Sequence, residues 1–438
     1  MNRRAELAEL FRALLPDLDP AAAIRRAVRR EGMVLQLPGG DAVDLRHVGR
    51  VYVVSFGKAA RPMAAALLEL LRDVEVHGVC APPAPDAGEL APLLVRPGGH
   101  PVPDAGSLAA AERVLAMLGG AGAQDLVLFL VSGGGSAILE RPLWPGVSLA
   151  ELRVLHAALV GCGAPIVAIN AVRKHVSSVK GGRLALRAAP ARQVTLYVSD
   201  VPHDRPEAVA SGPTMPDPSR WEDVLDILVE HDLEPHLPGS IRAMLREARS
   251  GLVAETPKPH AAPFARSTWH CLLDERSATT GLAALATARG LRCEADHTTA
   301  ELGCDQAIDA LIGRLRVLRR EHGAPVALVA GGEVRVKIPP HHGTGGRNQH
   351  FALGCALRIT GEPVTVLSAG TDGIDGNSPA AGAVADGTTV ERARALGIDA
   401  AASLARFDSH GLFAPLGDAI VTGPSGTNVR DVRILVHD

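Results

Sequence analysis

Hydrophobic residues along this chain collect into short runs that end abruptly in glycine or in a polar residue. The clearest runs lie at 51–56, 126–131, 193–198, 326–330 and 364–369. Apolar runs of about six residues predict strands that are buried on both faces, the pattern of a parallel sheet. Segments in which apolar residues recur at helical spacing lie between them, as at 58–71 and 305–322. The pattern therefore predicts an α/β protein in which helices alternate with buried strands.

The length of the chain indicates more than one domain. At 438 residues it exceeds what a single hydrophobic core usually supports, so we expect two. A proline-rich tract at 255–263 has the composition of a linker. We therefore predict one domain over residues 1–255 and a second over residues 256–438.

Composition and charge narrow the class of protein. Lysine and arginine number 45 against 48 acidic residues, and a net charge of −3 argues against a general nucleic-acid-binding protein. The six cysteines lie far apart and form no CxxC pair, as in proteins of a reducing compartment. The N-terminus lacks the apolar core of a secretion signal, and no run approaches the roughly 20 apolar residues that span a bilayer. We predict a cytoplasmic protein that binds neither nucleic acid nor membrane; the oligomeric state stays open, with a homodimer as one option.

The apolar run at 126–131 ends in a glycine-rich loop, which we call the glycine loop. It comprises Ser132, Gly133, Gly134, Gly135 and Ser136. Because glycine has no Cβ, the backbone amides of such a loop can close around an anion, and the two serines add hydroxyl donors. The alternative is an ordinary flexible turn. On its own the loop does not decide between the two.

Cations follow glycines at two predicted helix starts and crowd a third segment. Lys58 follows the strand at 51–56, and Arg347 follows Gly345-Gly346. A cation at the positive end of a helix is mildly unfavourable unless an anion joins it. The segment 168–185 carries several further cations, among them Lys180 before Gly181. Either a solvated basic helix face or an anion site accounts for this segment.

Pairs of aspartates follow two of the predicted strands. Asp200 and Asp204 come after 193–198, and Asp372 and Asp375 come after 364–369. Mg²⁺ typically takes one or two carboxylates together with water and phosphate oxygens, so either pair fits a magnesium site. Turns stabilised by aspartate side chains are the alternative.

Taken together, these strand ends carry the residue types that phosphoryl transfer uses, namely glycine loops, isolated cations and acids. Ligands of open α/β sheets bind at the carboxyl ends of the strands. No Walker A pattern is present, which excludes a P-loop kinase. A nicotinamide-dependent reductase would need a GxGxxG loop, which the chain lacks, and a serine hydrolase would need GxSxG, which is also absent.

Nine stretches, in this order, resemble the class II glycerate kinases, which are glycerate 2-kinases with a C-terminal MOFRL domain. They are SFGKAA (55–60), SGGGSA (132–137), NAVRKHVSSVKGGRL (170–184), SDVPHD (199–204), SGPT (211–214), GGE (331–333), GGRNQ (345–349), AGTDGIDG (369–376) and TGPSGTN (422–428). The chain departs from the family pattern in two places, at His203-Asp204-Arg205 after SDVP and at His350, where a glutamate is common.

The resemblance implies a Mg²⁺-dependent kinase that uses ATP to phosphorylate D-glycerate to 2-phosphoglycerate. It also implies two α/β domains, the larger with a Rossmann-like parallel sheet flanked by helices and the smaller the MOFRL domain, with the active site in the cleft between them. Because some family members have been named hydroxypyruvate reductases, an NAD(P)H-dependent reductase is the alternative.

From the motifs and the resemblance we predict roles for individual residues. The predicted catalytic residues are Lys58, Arg347, Asp200 and Asp372. The predicted nucleotide-binding residues are the glycine loop (Ser132, Gly133, Gly134, Gly135, Ser136) with Lys180, Gly181 and Asn348. The predicted magnesium ligands are Asp200, Asp204 and Asp375.

Overall fold

The computed structural model describes residues 2–84, 86, 88–323 and 325–438. Its strands are β1 (Arg29–Glu31), β2 (Val34–Gln36), β3 (Ala42–Asp44), β4 (Val51–Phe56), β5 (Val76–Ala81), β6 (Leu94–Val95), β7 (Leu126–Val131), β8 (Arg192–Val198), β9 (Ser267–Leu273), β10 (Arg292–Asp296), β11 (Val326–Gly331), β12 (Val364–Gly370), β13 (Gly382–Asp386), β14 (Ala419–Ile420) and β15 (Asp431–His437).

Helices of the described residues alternate with these strands over most of the chain. They are α1 (Arg3–Leu14), α2 (Pro20–Ala27), α3 (Ala60–Leu70), α4 (Ala105–Leu118), α5 (Gly135–Ile138), α6 (Leu149–Gly161), α7 (Ile166–Val176), α8 (Arg183–Ala188), α9 (Trp221–Glu230), α10 (Gly239–Arg249), α11 (Glu275–Ala288), α12 (Cys304–His322), α13 (Arg347–Arg358), α14 (Thr389–Ala395), α15 (Ala400–Ala405) and α16 (Ser409–Leu416).

The chain forms two compact units. The large unit is Ala23–Leu272, and the small unit combines the residues up to Ala22 with Leu273–Asp438. Each contains a six-stranded sheet, and the large unit adds a small antiparallel sheet of β1, β2 and β3. The predicted fold class, two α/β domains with a Rossmann-like parallel sheet in the larger, is confirmed.

The main sheet of the large unit has the strand order β6-β5-β4-β7-β8-β9. Strands β4, β5, β6, β7 and β8 pair in parallel. Every residue of β4 and β7 is buried, as their apolar sequences predict. Side chains alternate between the two faces of a strand. Val54 and Phe56 thus join the core under α4 and α8, whereas Ser55 hydrogen-bonds to α3 through the carbonyl of Ala60 at 2.7 Å.

The sheet of the small unit has the strand order β10-β11-β15-β12-β13-β14 and is mixed. Strands β10 and β11 are parallel, and the other pairs are antiparallel. The last strand of the chain, β15, therefore lies between β11 and β12. Because β15 runs antiparallel to both neighbours, its first residue lies beside their carboxyl ends.

The N-terminal helix α1 belongs to the small unit. Leu7, Leu10, Phe11 and Leu14 recur at helical spacing and are fully buried or nearly so. At the other side of the helix, Arg4 forms ion pairs with Asp386 at 3.0 Å and with Asp418 at 3.2 Å. One apolar face and one paired cation thus attach the start of the chain to strands that follow it by more than 350 residues.

These units differ from the predicted division at residue 255. The proline-rich tract predicted as a linker is held inside the large unit, because Glu255 bonds to His175 at 3.1 Å and Thr256 donates to Asp217 at 2.9 Å. Strand β9 then adds to the edge of the large sheet, so the unit extends to Leu272. No described helix is both long and apolar enough to cross a membrane.

The attachment of α1 yields a first prediction. Replacement of Phe11 by alanine should lower the free energy of unfolding of the small unit by about 3–5 kcal/mol, because it empties a fully buried aromatic site. Hydrogen exchange read peptide by peptide should show the loss of protection in β12 and β13. Phe11→Leu is the matched control with a smaller loss, and a loss confined to Ala23–Leu272 would contradict the assignment of α1.

Candidate active site

Three neighbouring parallel strands of the large unit end in polar segments at the same edge of the sheet. Strand β7 lies between β4 and β8. Lys58 follows β4, the glycine loop follows β7, and Asp200 follows β8. Since parallel strands have their carboxyl ends at the same edge of a sheet, the order of the strands brings Lys58, the glycine loop and Asp200 together.

Backbone contacts hold the turn after β4 against the glycine loop. The amide of Lys58 donates to the carbonyl of Gly133 at 2.8 Å, and the amide of Ala59 donates to the hydroxyl of Ser132 at 3.0 Å. Gly57 has φ +110°, and a Cβ there would lie 2.4 Å from the carbonyl oxygen of Ser132. Only glycine fits this close approach.

The glycines of the loop also admit the neighbouring side chains. A Cβ on Gly133 would lie 2.1 Å from Oδ2 of Asp200, and one on Gly134 would lie 3.2 Å from Cγ of Lys58. Both side chains thus lie directly on the loop backbone. Lys58 is exposed, and its ammonium forms no ion pair or hydrogen bond with any residue that the structure describes.

His100 lies on the same loop, and sequence reasoning missed it. Its Cδ2 is 2.9 Å from the Cβ position of Gly134. Burial, and then the charge of Lys58, lower the pKa of His100 below its ordinary value. Both effects favour the neutral form of the imidazole that lies beside the exposed ammonium.

The far end of the glycine loop meets the SGPT turn (Ser211–Thr214). The hydroxyls of Ser136 and Ser211 lie 2.8 Å apart, and that of Ser211 donates to Oδ1 of Asn170 at 3.4 Å. Ala210 and Ser211 have φ of 49° and 61°, a conformation that costs free energy for residues other than glycine. Strain of this kind often marks functional sites, and no sequence motif indicates it.

Lys180 and Gly181, predicted to bind the nucleotide, are engaged inside the protein. Lys180 is fully buried and forms an ion pair with the buried Glu140, whose carboxylate also accepts from Ser177 at 2.6 Å. Burial lowers the pKa of Lys180, and Glu140 opposes that effect. The amide of Gly181 donates to the carbonyl of Ser211 at 3.0 Å. Protein contacts thus hold this part of the basic segment, and its role at the nucleotide stays a prediction.

Asp204, a predicted magnesium ligand, lies in an exposed turn after β8. Asp200 is only partly exposed, next to the glycine loop. Of the two, Asp200 is the one whose position the loop fixes.

The small unit gathers a second set of charges around Arg347, the first residue of α13. Its Nε donates to Asp431 at 2.5 Å, and its Nη2 donates to Glu333 at 2.8 Å. Burial alone would lower the pKa of Arg347, but the carboxylates of Asp431 and Glu333 raise it above its ordinary value. The topology of the sheet brings these two carboxylates together, because Glu333 comes after β11 and Asp431 begins the neighbouring strand β15.

Asp372 and Asp375 both lie near this group of charges, but their carboxylates differ in burial and in partners. A Cβ on Gly370 would lie 3.2 Å from Oδ1 of Asp372 and 3.4 Å from Oδ1 of Asp431. Asp372 is partly exposed, and its Oδ1 accepts from the amide of Ile374 at 3.1 Å. The carboxyl end of β12 thus places one predicted aspartate near Asp431, one of the two carboxylates that hold Arg347.

Asp375 caps helix α13 instead of facing solvent. It is 2% exposed and accepts from the amides of Asn348 and Gln349, each at 2.9 Å. Burial raises the pKa of Asp375, while these amides oppose the rise. Asn348 is also buried and accepts from Ser368 at 2.6 Å. Both side chains help to fix the start of the helix that carries Arg347, and their contacts with metal and nucleotide stay predictions.

Asp431 and Glu333 were absent from the predicted site. Glu333 lies in a glycine-marked strand end, so the same reasoning that selected Asp200 could have selected it. Asp431 is the first residue of a strand, so a prediction that considers only the residues after the carboxyl ends of strands does not include it. The antiparallel insertion of β15 makes its first residue equivalent to a strand end.

Across the described ranges, no group of three or more histidine, cysteine, aspartate or glutamate side chains could hold a metal ion by itself. The six cysteines are free thiols. His350, at a position that departs from the family pattern, stacks on Phe407 with ring centres 4.4 Å apart.

The buried pair of Lys180 and Glu140 gives a second prediction. Lys180→Met should destabilise the large unit by about 3–5 kcal/mol, because it leaves Glu140 charged and unpaired in the interior. Adding Glu140→Gln, which keeps the bond from Ser177, should restore most of the loss. Urea unfolding measures both. A Lys180→Met variant of normal stability that binds ATP weakly would instead support the predicted role at the nucleotide.

Comparisons with known proteins agree on a family. Residues 6–246, more than half of the chain, match a family described as a domain of unknown function (DUF4147), and residues 326–431 match the MOFRL family. A D-glycerate 2-kinase of Thermotoga maritima is 37% identical over 393 residues, which cover 89% of this chain and 91% of that protein. A protein of Agrobacterium vitis, provisionally named a hydroxypyruvate reductase, is 36% identical over 442 residues, and the match covers all of this chain and 95% of that protein.

Solved structures give the same result. The crystal structure of a glycerate kinase from Thermotoga maritima matches with a TM-score of 0.85 at 33% identity, covering 99% of both chains. The resemblance seen in the nine sequence motifs is confirmed. The chain belongs to the class II glycerate kinases, a family of enzymes whose C-terminal part is a MOFRL domain.

Proposed function

We propose that this enzyme uses ATP to phosphorylate D-glycerate to 2-phosphoglycerate. The names of its relatives support glycerate as the substrate, and the residues of the large unit support phosphoryl transfer. The observation that carries the proposal is the close contact of Lys58, the glycine loop and Asp200 at one sheet edge.

In this proposal the glycine loop holds the nucleotide phosphates. Loops of this kind present backbone amides to anions. The amides of Lys58 and Ala59 are not among these donors, because they hydrogen-bond to the glycine loop. The ammonium of Lys58 is exposed on the loop, so it can meet the charge of the transferring phosphoryl group. The lowered pKa of His100 beside it reduces the chance of a second positive charge that would repel the lysine.

The residues fit a magnesium ion bound mainly by substrate. Mg²⁺ in kinases takes one or two carboxylates and completes its shell with water and phosphate oxygens. Asp200 beside the glycine loop supplies one such carboxylate, and Asp204, four residues later, is an exposed second. A bound Mg²⁺ would neutralise phosphate charge during transfer.

We propose that Arg347 and Asp372 of the small unit act on the same reaction. Nε and Nη2 of Arg347 are held by two carboxylates, whereas Nη1 donates to no residue in the described part of the chain. That nitrogen can bind the phosphoryl group without breaking the existing pairs. Asp372 is partly exposed and can accept the proton of the attacking hydroxyl. The proposal requires both units to meet around one substrate, in the cleft implied by the family.

Lys58→Ala should reduce kcat by about 100- to 1000-fold, as expected for the loss of a charge that acts on the transition state. Because Lys58 is exposed, the free energy of unfolding should stay within about 0.5 kcal/mol of the wild type. Coupled measurement of ADP release in the presence of D-glycerate tests this. Lys337→Ala, a change of an exposed lysine in the small unit, is the control, and equal activity of the two variants would contradict the role of Lys58.

Phosphorus NMR of the products identifies the reaction. Incubation with ATP, Mg²⁺ and D-glycerate should give ADP and the resonance of 2-phosphoglycerate rather than 3-phosphoglycerate. The name of the Agrobacterium vitis relative favours one other activity, reduction of hydroxypyruvate by NADH or NADPH. Reduction of hydroxypyruvate, together with the absence of a phosphorylated product in the NMR experiment, would show that the enzyme is a reductase and not a kinase.

A further inference from the structure

Helix α7 carries three consecutive basic residues, and two of them have carboxylate partners. Lys174 pairs with the buried Asp217 at 3.2 Å, and His175 contacts Glu255 at 3.1 Å. Arg173 differs from both. It forms no hydrogen bond or ion pair with any of the residues described, and its Nε is shielded from solvent.

The surroundings of Arg173 do not neutralise it. Burial lowers the pKa of Arg173, and the nearby Glu140 opposes that effect without forming an ion pair. The carboxylate of Glu140 is already engaged by Lys180, Ser177 and the amide of Arg141. A partly buried guanidinium that lacks a partner costs free energy, and an anion from outside the chain would remove that cost.

Asn170 lies one helical turn before Arg173, so the two side chains are neighbours on α7. Its Oδ1 accepts from Ser211, which in turn bonds to Ser136 of the glycine loop. Its amide nitrogen donates to no residue within the described ranges. An uncommitted donor and an unpaired cation thus lie side by side, connected to the loop by two hydroxyls.

We propose that Arg173 and Asn170 form the receptor for the carboxylate of the small-molecule substrate. The guanidinium binds the carboxylate, and the amide of Asn170 donates to the same carboxylate or to the adjacent hydroxyl. The assignment of glycerate as ligand rests on the proposed function. It also gives the two arginines different roles. Arg347 already pairs with two carboxylates of the protein, whereas Arg173 pairs with none of the described residues and can bind the carboxylate of the substrate.

Binding of D-glycerate without nucleotide tests the receptor. Arg173→Met should raise the Kd, measured by calorimetry, by about 10- to 150-fold, which is the range for a lost bond to a charged group. Its melting temperature without ligand should equal or exceed that of the wild type, because an unpaired buried charge has been removed. Opposite effects on binding and stability are not expected of a structural arginine.

Two further variants complete the experiment. Asn170→Asp keeps the acceptor for Ser211 and replaces the free donor by a second negative charge, so it should weaken D-glycerate binding at least as much. Arg242→Ala removes an exposed arginine of α10 and should change nothing. Glycerol, which lacks the carboxylate, should bind the wild type and Arg173→Met equally weakly.

The outcomes separate this inference from the proposed function. If the wild type phosphorylates D-glycerate and Arg173→Met shows an unchanged Kd and KM, the receptor is wrong and the function stands. If the wild type binds D-glycerate through Arg173 but transfers no phosphoryl group, the receptor stands and the function is wrong. Absence of D-glycerate binding by the wild type, or a lowered melting temperature of Arg173→Met with normal binding, would overturn the receptor.

Discussion

The close approach of two loops across strands β4 and β7 is the constraint on which the site of the large unit depends. Because Gly57 has no Cβ, the turn after β4 reaches the backbone of the glycine loop. Two hydrogen bonds, donated by the backbone amides of Lys58 and Ala59, then hold the turn on the loop. Lys58 and Asp200 meet at that loop for the same reason, since the glycines leave room for both side chains. A side chain at Gly57 or Gly133 would therefore displace the whole group and not a single contact.

The described cations of this protein differ in how their charge is compensated. Lys174 and Lys180 each pair with one buried carboxylate, and Arg347 pairs with the buried Asp431 and the partly exposed Glu333. Lys58 is solvated, and Arg173 is partly buried with no partner among the described residues. Because an interior charge is stable only when it is compensated, the uncompensated ones are where a ligand is expected to complete the structure.

The sequence predicts the strands well and the partners of side chains poorly. Apolar runs located β4 and β7 to within a residue, because burial on both faces leaves a direct trace in composition. Lys58 and Lys180 both lie next to glycines, yet only the fold reveals that Glu140, 40 residues before Lys180, takes the second. Asp372 and Asp375 likewise share one motif, and the start of α13 decides that the latter becomes a helix cap. The roles of Lys58, Asp200 and Asp372 in catalysis stay predictions.

The path of the chain through the small unit has a consequence for synthesis on the ribosome. The large unit is contiguous from Ala23 to Leu272, so all its strands are available once that stretch has emerged. The small unit has helix α1 from the beginning of the chain and, at the centre of its sheet, strand β15 from the end. The packing partners of its first helix lie in α11, β12 and β13, so Leu7 and Phe11 stay exposed until those segments have been synthesised. During that interval the nascent chain carries an apolar segment of the kind that chaperones bind.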